Sequence, residues 1–367
     1  MSFSVGKFLT GRKYTYKLVE RLQLNQTVLS TVWKAEILND SGYQRPAKWA
    51  IINTATAKKQ KWLRREREAY DKRAIYQSRY VRSLYDEINQ YISEIGFHGD
   101  TAAFEQAVQS NPYCLVLEYL DVPLSALDPA KYKDNPVFMA ALFEGTLGGV
   151  KDVGLTKNVW TDCKPDNVLC SNVDGRNPMV KISDMGLCQP DGYDQVQMQS
   201  PAMRAPEVWA GYGCRHVSDV YSVGSTIISW LQPGVLGSHD VKPPIFAGAW
   251  CIAKVIKLVE TENERTVDPP ADAASDVKSM YELGRLLLTQ PEDDDDGSLH
   301  VPARPLGEAL RRLGTTPEVK ALLPVLLAPD FQNRLPAGQV LTTKEYEALQ
   351  HAIVFGGHVA AIGREFF

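Results

Sequence analysis

The hydrophobic pattern of the chain changes near Leu124, and this change limits the folds that the chain can adopt. Before Leu124, the segments YTYKLVERLQL, VWKAEIL and KWAIINTA alternate or run apolar between polar turns, which is typical of antiparallel strands. Beyond it, long segments such as VFMAALFEGTLGGVKDV have the spacing of helices. The pattern therefore predicts a β-rich first part and a mostly helical second part.

The first part also carries one helix and two further strands. The basic stretch from Lys58 to Tyr76 has helical spacing, and YVRSLYDEI and YCLVLEYL are strand-like. The first part is thus predicted to hold five strands and one helix. The segments GFHGDTAAFEQAVQSNP and PEDDDDGSLHVPARP are interpreted as insertions, and the acidic run of the second as a solvated charge cluster.

The size and charge of the chain limit the kinds of protein to which it can belong. A chain of 367 residues is longer than a single hydrophobic core usually supports, so two folding units or one bilobal unit are expected. The formal net charge of −4 argues against a broad basic surface for nucleic acid. The six cysteines form no CxxC pair, and no secretory signal or bilayer-spanning apolar run occurs. We expect a soluble cytoplasmic or nuclear protein, not a secreted one, with no membrane partner.

Two short loops in the second part carry acidic residues between strand-like runs. One reads DCKPDNVLC and begins at Asp162, and the other reads ISDMGLC and contains Asp184. The 22 residues from Asp162 to Asp184 leave room for a hairpin made of VLCSNV and VKISD. If the two carboxylates converge on a metal ion, the pair of loops forms a phosphate-handling site.

The order of these and later motifs resembles that of the eukaryotic protein kinases. TDCKPDN matches the catalytic-loop pattern HRDxKxxN, and DMG stands at the position of DFG. SPAMRAPE matches TPxYRAPE, DVYSVG matches DxWSxG, and PDFQNR supplies Arg334 where the family has an arginine that pairs with the APE glutamate, here Glu207. The sequence most resembles the divergent kinase-like proteins that are abundant in filamentous fungi.

The resemblance implies a two-lobed α+β fold. Residues 1–120 are expected to form a small lobe with an antiparallel β-sheet and one main helix. Residues 121–367 are expected to form a larger, mostly α-helical lobe that contains the catalytic loop. A partly buried ion pair between Glu207 and Arg334 is expected in that lobe, and the loss of one partner should cost several kcal/mol.

The resemblance also implies roles for individual residues, with ATP and Mg²⁺ as cofactors. Asp162 would accept the proton of the attacking hydroxyl, and Lys164 would neutralise the phosphoryl oxygens. Asn167 and Asp184 would hold Mg²⁺. Leu117 would be the gatekeeper beside a hinge whose backbone meets adenine. The complete set of residues that the resemblance assigns to the nucleotide is Val32, Ala50, Leu117, Glu118, Leu120, Asp121, Asn167, Leu169 and Asp184.

The family pattern breaks in the first part. The glycine-rich loop is replaced by NQTVLSTV, which places Asn25, Thr27 and Ser30 at the three glycine positions. The VAIK motif aligns with WAII, so that Ile52 stands where a lysine is expected to hold the phosphates. Losing such a charge typically costs on the order of 10²–10³ in rate. Its helix partner is either Glu66 or Glu68, and the sequence leaves this open.

Other cations could replace the missing lysine. Lys48 lies about 13 Å along the strand from Ile52 at ~3.3 Å per residue, and Lys34 lies on a strand that leads away from the phosphates. Arg64, Arg65 or Arg67 of the basic helix could turn inward. The alternative for that helix is a solvated basic face with Trp62 and Leu63 packed inward.

Three functions therefore remain open from the sequence. The first is an atypical phosphotransferase of serine/threonine type that acts on a protein or small-molecule hydroxyl. The second is a pseudokinase that serves as a binding or scaffolding module, which the missing lysine and glycines favour. The third is another transfer from ATP, such as nucleotidylation, which no residue selects.

Overall fold

The computed structural model describes most of the chain and divides it into two compact units. The first unit runs to Asp121 and includes Ser183–Cys188, and the second comprises Val122–Ile182 and the chain from Gln189 onward. The described residues are 3–22, 30–38, 42–55, 60–89, 112–241, 247–261, 265–289 and 301–362.

A six-stranded sheet forms the body of the first unit, with the order β1-β2-β3-β4-β6-β5 and antiparallel pairing throughout. The five strands expected from the pattern are present, and a short edge strand, β1, precedes them. The strands are β1 Phe8–Thr10, β2 Thr15–Leu22, β3 Ser30–Leu38, β4 Trp49–Ala55, β5 Leu84–Ile88 and β6 Cys114–Glu118.

The two faces of this sheet differ in what they bury. Trp33, Ala35, Ala50 and Ile52 belong to an apolar cluster on one face. Directly opposed residues of an antiparallel pair share a face, and neighbours along a strand alternate. The opposite face is therefore defined by the pairs Val32 with Asn53 and Ile51 with Leu117.

One amphipathic helix, α1 (Gln60–Ala69), lies in the first unit. Its buried residues, Gln60, Leu63, Glu66 and Ala69, recur every third residue and make one face. The side-chain Nε2 of Gln60 donates to the carbonyl of Ala55 at 2.6 Å, which ties the start of the helix to the end of β4. A single turn, α2 (Arg73–Tyr76), follows.

The second unit is mostly helical, as expected. Its longest fully described helix, α4, begins at an Asn135 cap whose side-chain oxygen accepts from the amides of Val137 and Phe138, both at 3.1 Å. The helices of the unit are α3 Pro129–Tyr132, α4 Pro136–Gly154, α5 Pro206–Ala210, α6 His216–Leu231, α7 Ala247–Val259, α8 Ser275–Leu287, α9 Leu306–Arg312, α10 Pro317–Leu326, α11 Ala337–Val340 and α12 Lys344–Ile362.

Short strands complete the second unit and flank the DCKPDN loop, residues 162–167. β9 pairs with β10 in the hairpin that the spacing of the two acidic loops predicts, from Val168 opposite Ile182 to Ser171 opposite Met179. The glycines of α4 let this hairpin approach closely, because a Cβ at Gly145 would lie 2.3 Å from the carbonyl oxygen of Val180. The strands are β7 Val122–Pro123, β8 Asn158–Val159, β9 Val168–Ser171, β10 Met179–Ile182 and β11 Gln189–Pro190.

The expected α+β fold is confirmed, with an antiparallel sheet and a main helix in one unit and helices dominating the other. Residues 96–111 of the predicted insertion GFHGDTAAFEQAVQSNP lie outside the described residues, as do Asn25 and Thr27. All six cysteines are free thiols. Within the described ranges, no helix is both long and apolar enough to cross a membrane.

Candidate active site

The DCKPDN loop, predicted to be the catalytic loop, brings three of the predicted site residues together in the second unit. Nζ of Lys164 lies 3.0 and 2.8 Å from the two carboxylate oxygens of Asp162. Nδ2 of Asn167 donates to the backbone oxygen of Asp162 at 2.9 Å and to Oδ2 at 2.7 Å. A 3₁₀ turn, Pro165–Asn167, folds the amide back onto the carboxylate. Asp162 is thus fixed by a cation and an amide on the same short loop.

Asp219 of helix α6 is hydrogen-bonded to the two residues that directly precede this loop. The carboxylate of Asp219 accepts from the amide of Trp160 at 2.6 Å and from that of Thr161 at 3.1 Å. Thr161 adopts a left-handed φ of 63°, a strained conformation that these bonds help to hold. Burial raises the pKa of Asp219 to about 7, although the two amides and Gln199 oppose the shift.

The ion pair expected between Glu207 and Arg334 is present and fully buried. Nη1 of Arg334 lies 2.7 Å from Oε1 of Glu207, and Nη2 lies 3.1 Å from Oε2. Ser218 also donates to Oε1 at 2.6 Å. The arginine gives its remaining donors to backbone carbonyls, including that of Ala328 at 2.8 Å. The pair ties the start of α5 to the chain that follows α10.

Between β11 and α5, the chain is held by amide and guanidinium side chains. Arg204 donates to the carbonyls of Met198 and Gln199 at 2.8 and 3.0 Å and to the side-chain oxygen of Gln197 at 3.0 Å. Oε1 of Gln199 accepts from the amide of Ala205 at 2.9 Å. These contacts tie residues 197–199 to Arg204 and Ala205, which directly precede α5.

Asp184 lies in the first unit, in the tight turn predicted for the DMG triplet. Its φ of 57° is left-handed, and its Oδ1 accepts from the amide of Gly186 at 3.3 Å. A Cβ at Gly186 would approach Oδ1 of Asp184 to 3.3 Å and the carbonyl of Trp62 to 3.4 Å, so the position favours glycine. Asp184 is exposed, and the fully buried Met185 fills the apolar position behind it.

The position of the missing lysine is one residue further along β4 than the alignment to WAII implied. Ile52 lies in the apolar cluster on the opposite face of the sheet. Asn53 instead faces α1, and its Nδ2 donates to Oε2 of Glu66 at 3.5 Å. The run AII is apolar at every position, so the sequence could not show which residue faces the helix.

The same geometry identifies the helix glutamate as Glu66, since Glu66 is buried and Glu68 is exposed. Burial, together with the negative charge of Asp184, raises the pKa of Glu66 to about 8, while Arg82 and Asn53 act in the opposite direction. Oδ1 of Asn53 is buried and finds no hydrogen-bond partner in the described part of the chain.

The residues assigned to adenine divide between the faces of the sheet. Val32 and Leu117, the predicted gatekeeper, share the α1-facing side together with Ile51. Ala50 lies in the apolar cluster on the other side of the sheet. The alignment of VAIK to WAII is therefore one residue out for Ala50 as well, and Ile51 stands where Ala50 was expected.

The predicted hinge, which begins at Glu118, is hydrogen-bonded to the two residues that directly precede β5. Nε of Arg82 donates to the carbonyl of Glu118 at 2.8 Å, and Oε2 of Glu118 accepts from the amide of Ser83 at 3.1 Å. Leu120 is buried and Asp121 is exposed. In the second unit, Leu169 is half-buried on β9, opposite Lys181.

Four of the basic side chains considered as replacements have other partners, whereas the buried Nε of Arg64 has no hydrogen-bond partner among the described residues. Arg67 pairs with Glu87 at 2.7 Å and also with Asp71, and Arg65 lies over the ring of Trp62. Lys34 bonds to the hydroxyl of Tyr119 at 3.2 Å. Lys48 lies 4.8 Å from the ring centroid of Trp49. Arg82, which bonds to the predicted hinge, lies between α2 and β5 in no recognisable sequence motif.

Each unit contains side-chain oxygen atoms of the kind that bind Mg²⁺. This ion prefers oxygen ligands and is usually held by one or two carboxylates together with phosphates and water. Asn167 donates its Nδ2 to Asp162 and carries an amide oxygen of the kind that Mg²⁺ accepts, and Asp184 carries an exposed carboxylate. Among the described residues, no group of three or more His, Cys, Asp or Glu side chains could hold a metal alone. These donors therefore fit a metal that arrives with a nucleotide.

Comparison with known proteins adds one positive match. A family model described as the protein kinase domain matches residues 51–345. A search of curated proteins found no match.

Proposed function

Because the chain belongs to the protein kinase domain family, we propose that it is an ATP- and Mg²⁺-dependent phosphotransferase of serine/threonine type with an atypical first unit. The observation that carries this proposal is the catalytic loop, where Lys164 and Asn167 hold the carboxylate of Asp162 at 2.7–3.0 Å. Such preorganisation has a cost, because an ordered charge cluster must be paired and desolvated.

Each residue of the loop has one task in this proposal. Asp162 accepts the proton of a serine, threonine or small-molecule hydroxyl as that oxygen attacks the γ-phosphoryl group. Lys164, already paired with Asp162, places its ammonium where negative charge spreads over the phosphoryl oxygens. Asn167 and Asp184 would provide oxygen ligands for Mg²⁺, which would supply positive charge to the phosphates when bound.

In the first unit, the proposed adenine contacts are the apolar side chains Val32, Ile51 and Leu117. They share one face of the sheet, and Leu117 is almost fully buried. The backbone of Glu118 and Leu120 supplies the polar contacts, and Asp121 is exposed and suited to a ribose hydroxyl. Leu169 of β9, in the second unit, is the further apolar residue that the resemblance assigns to the nucleotide.

A pseudokinase is the alternative that one observation favours. Asn53 is neutral and stands where the family has a lysine, facing Glu66. Without that ammonium, the protein could keep the fold and bind nucleotide weakly or not at all, and act as a binding module.

Thermal unfolding with ATP, in the presence and absence of Mg²⁺, separates these functions. A ligand that binds the folded state raises its stability by RT ln(1 + [L]/Kd). We expect millimolar ATP to raise the midpoint only when Mg²⁺ is present. No shift with either addition would favour the pseudokinase. ATP labelled at the α- or γ-phosphate then distinguishes nucleotidylation from phosphoryl transfer.

A further inference from the structure

A lysine lies on the side of the sheet that carries the proposed adenine contacts. Lys34 of β3 stands directly opposite Ile51 of β4, and Ile51 stands opposite Leu117 of β6. Directly opposed residues of antiparallel strands share a face. The three residues therefore form one row across the sheet, and Lys34 borders two of the residues proposed to contact the base.

Two aromatic rings and a hydroxyl group hold the ammonium of Lys34 beside the hinge. Its Nζ donates to the hydroxyl of Tyr119 at 3.2 Å. The same atom lies 4.2 Å from the centroid of the Tyr119 ring and 4.9 Å from that of Trp49. At such distances, the negative face of an aromatic ring attracts a cation. Tyr119 directly follows Glu118, where the hinge begins, so the ammonium lies at the hinge end of the sheet.

The half-buried Lys34 has no acidic partner within the described ranges. Glu20 stands opposite it on β2, and Glu36 lies two residues further along β3. Neither carboxylate forms an ion pair with Lys34 in the part of the chain that the structure describes. An ammonium has three N–H donors, and the Tyr119 hydroxyl takes one of them. Donors therefore remain for an acceptor atom of a ligand.

The groups on the polar edge of a purine determine which base this ammonium favours. Adenine carries an amino group at position 6, whereas guanine and hypoxanthine carry a carbonyl group there. An ammonium and an amino group are both donors and form no hydrogen bond with each other. An ammonium and a carbonyl oxygen form a charge-assisted hydrogen bond. A lysine beside the hinge therefore favours a base with an oxo group.

We propose that Lys34 is a specificity-determining residue for the nucleotide, and that the base site accepts 6-oxopurine triphosphates as well as ATP. The ammonium of Lys34 donates to the oxygen at position 6 when the base of such a nucleotide lies against Val32, Ile51 and Leu117. With ATP, the ammonium keeps its contacts with Tyr119, and the hinge backbone serves the amino group. This inference rests on the proposed function, because it concerns the base of the same nucleotide.

Thermal unfolding with Mg·ATP and with Mg·ITP tests the proposal. Hypoxanthine, the base of ITP, differs from adenine only in its oxo group and in the proton on N1. In the wild type, the ITP concentration that gives half of the maximal shift should lie within about tenfold of the ATP concentration. Lys34→Met should raise the ITP concentration at least about tenfold, through loss of a hydrogen bond to a charged group, and change the ATP concentration less than about threefold.

Lys48→Met is the matched control. Nζ of Lys48 also lies over the Trp49 ring, 4.8 Å from its centroid, but Lys48 is exposed and is adjacent to Trp49 in sequence. Successive residues of a strand point to opposite faces. This variant should therefore leave both half-maximal concentrations at their wild-type values. Lys34→Arg, which keeps the charge, should retain the wild-type ratio of the ITP to the ATP concentration.

The outcomes separate this proposal from the proposed function. A wild type that ATP stabilises, but that needs far more than tenfold higher ITP, would overturn the proposal and leave the proposed function standing. An equal ITP-to-ATP ratio in the wild type and Lys34→Met would also overturn it. A wild type that neither nucleotide stabilises would overturn both. Should Lys34→Met not fold, Tyr119→Phe takes its place, because it removes the hydroxyl that positions the ammonium, and the ratio must then rise at least about threefold.

Discussion

Glu207 and Arg334 form a bidentate ion pair that is completely buried, although 127 positions separate them in the chain. The guanidinium donates two hydrogen bonds to the carboxylate. Ser218 also donates to the carboxylate, and three backbone carbonyls accept further hydrogen bonds from the guanidinium. An ion pair of this kind is costly to break from one side, because the remaining charge is left buried without a partner.

We therefore expect Glu207→Gln to lower the free energy of unfolding by about 3–5 kcal/mol. Denaturant titration followed by circular dichroism measures the change. Glu308→Gln is the matched control, because Glu308 pairs with Arg304 and Arg312 at the surface and its loss should change stability little. Equal effects of the two substitutions would show that burial of the Glu207 pair carries no special cost.

Substitution of Gly145 tests how closely α4 packs on the β9–β10 hairpin. A methyl group at this position would meet the backbone of Val180 at 2.3 Å, and backbone yields less readily than a side chain. Gly145→Ala should destabilise the protein by about 1–3 kcal/mol. Gly307→Ala, in a helix where the new Cβ meets nothing within 4 Å, should be neutral or stabilising. A neutral Gly145→Ala would refute the close contact.

The raised pKa of Asp219 predicts how stability depends on pH. The folded state binds this proton more tightly than the unfolded state, in which an aspartate has its ordinary pKa near 3.8, while the folded value is about 7. The contribution is therefore complete below about pH 4 and is lost as pH rises to 7, at no more than about 1.4 kcal/mol per pH unit.

Asp219→Asn should flatten this dependence between pH 5 and 7 while lowering stability at every pH, because one of the two loop amides loses its acceptor. Other titratable groups whose charges interact with Asp219 are Asp191, Cys163 and Cys214. They remain in the variant and serve as the common background. Denaturant titrations at four pH values measure the slope, and an unchanged slope would contradict the raised pKa.

Arg204 is predicted to keep the segment between β11 and α5 ordered without phosphorylation. Arg204→Met removes its bonds to Gln197, Met198 and Gln199. We expect faster thermolysin cleavage within residues 191–203, detected by mass spectrometry. Arg176→Met, at an exposed position in the β9–β10 hairpin, should leave the cleavage rate unchanged. Equal rates in the two variants would indicate that Arg204 does not order the segment.

The sequence could predict the second unit well because its motifs combine residue type with spacing. Asp162, Lys164 and Asn167 lie within six residues, so a local turn suffices to bring them together. Glu207 and Arg334 are far apart, yet each lies in a motif that indicates its partner. In these cases, a short stretch of sequence indicates both the chemical role of a residue and its position in the fold.

The first unit was harder to predict because two of its features depend on tertiary structure. The apolar run before Asn53 has no alternation, so the facing residue is fixed only by the pairing of β3 with β4. Arg82 lies in no motif, and its proximity to α1 and the hinge arises from how the chain folds between α2 and β5. Neither feature leaves a signal in the local sequence.

The most direct test of the proposed function compares transfer of labelled γ-phosphate by the wild type and by Asp162→Asn, using a peptide library with serine and threonine acceptors. Asp166→Asn is the control, because this exposed acid of the same loop bonds to Ser125 at 2.8 Å and has no proposed role in transfer. We predict that Asp162→Asn loses transfer on the order of 10²-fold or more and keeps its Mg·ATP-dependent thermal shift, while Asp166→Asn matches the wild type. Absence of transfer by the wild type, or equal transfer by Asp162→Asn, would contradict the account.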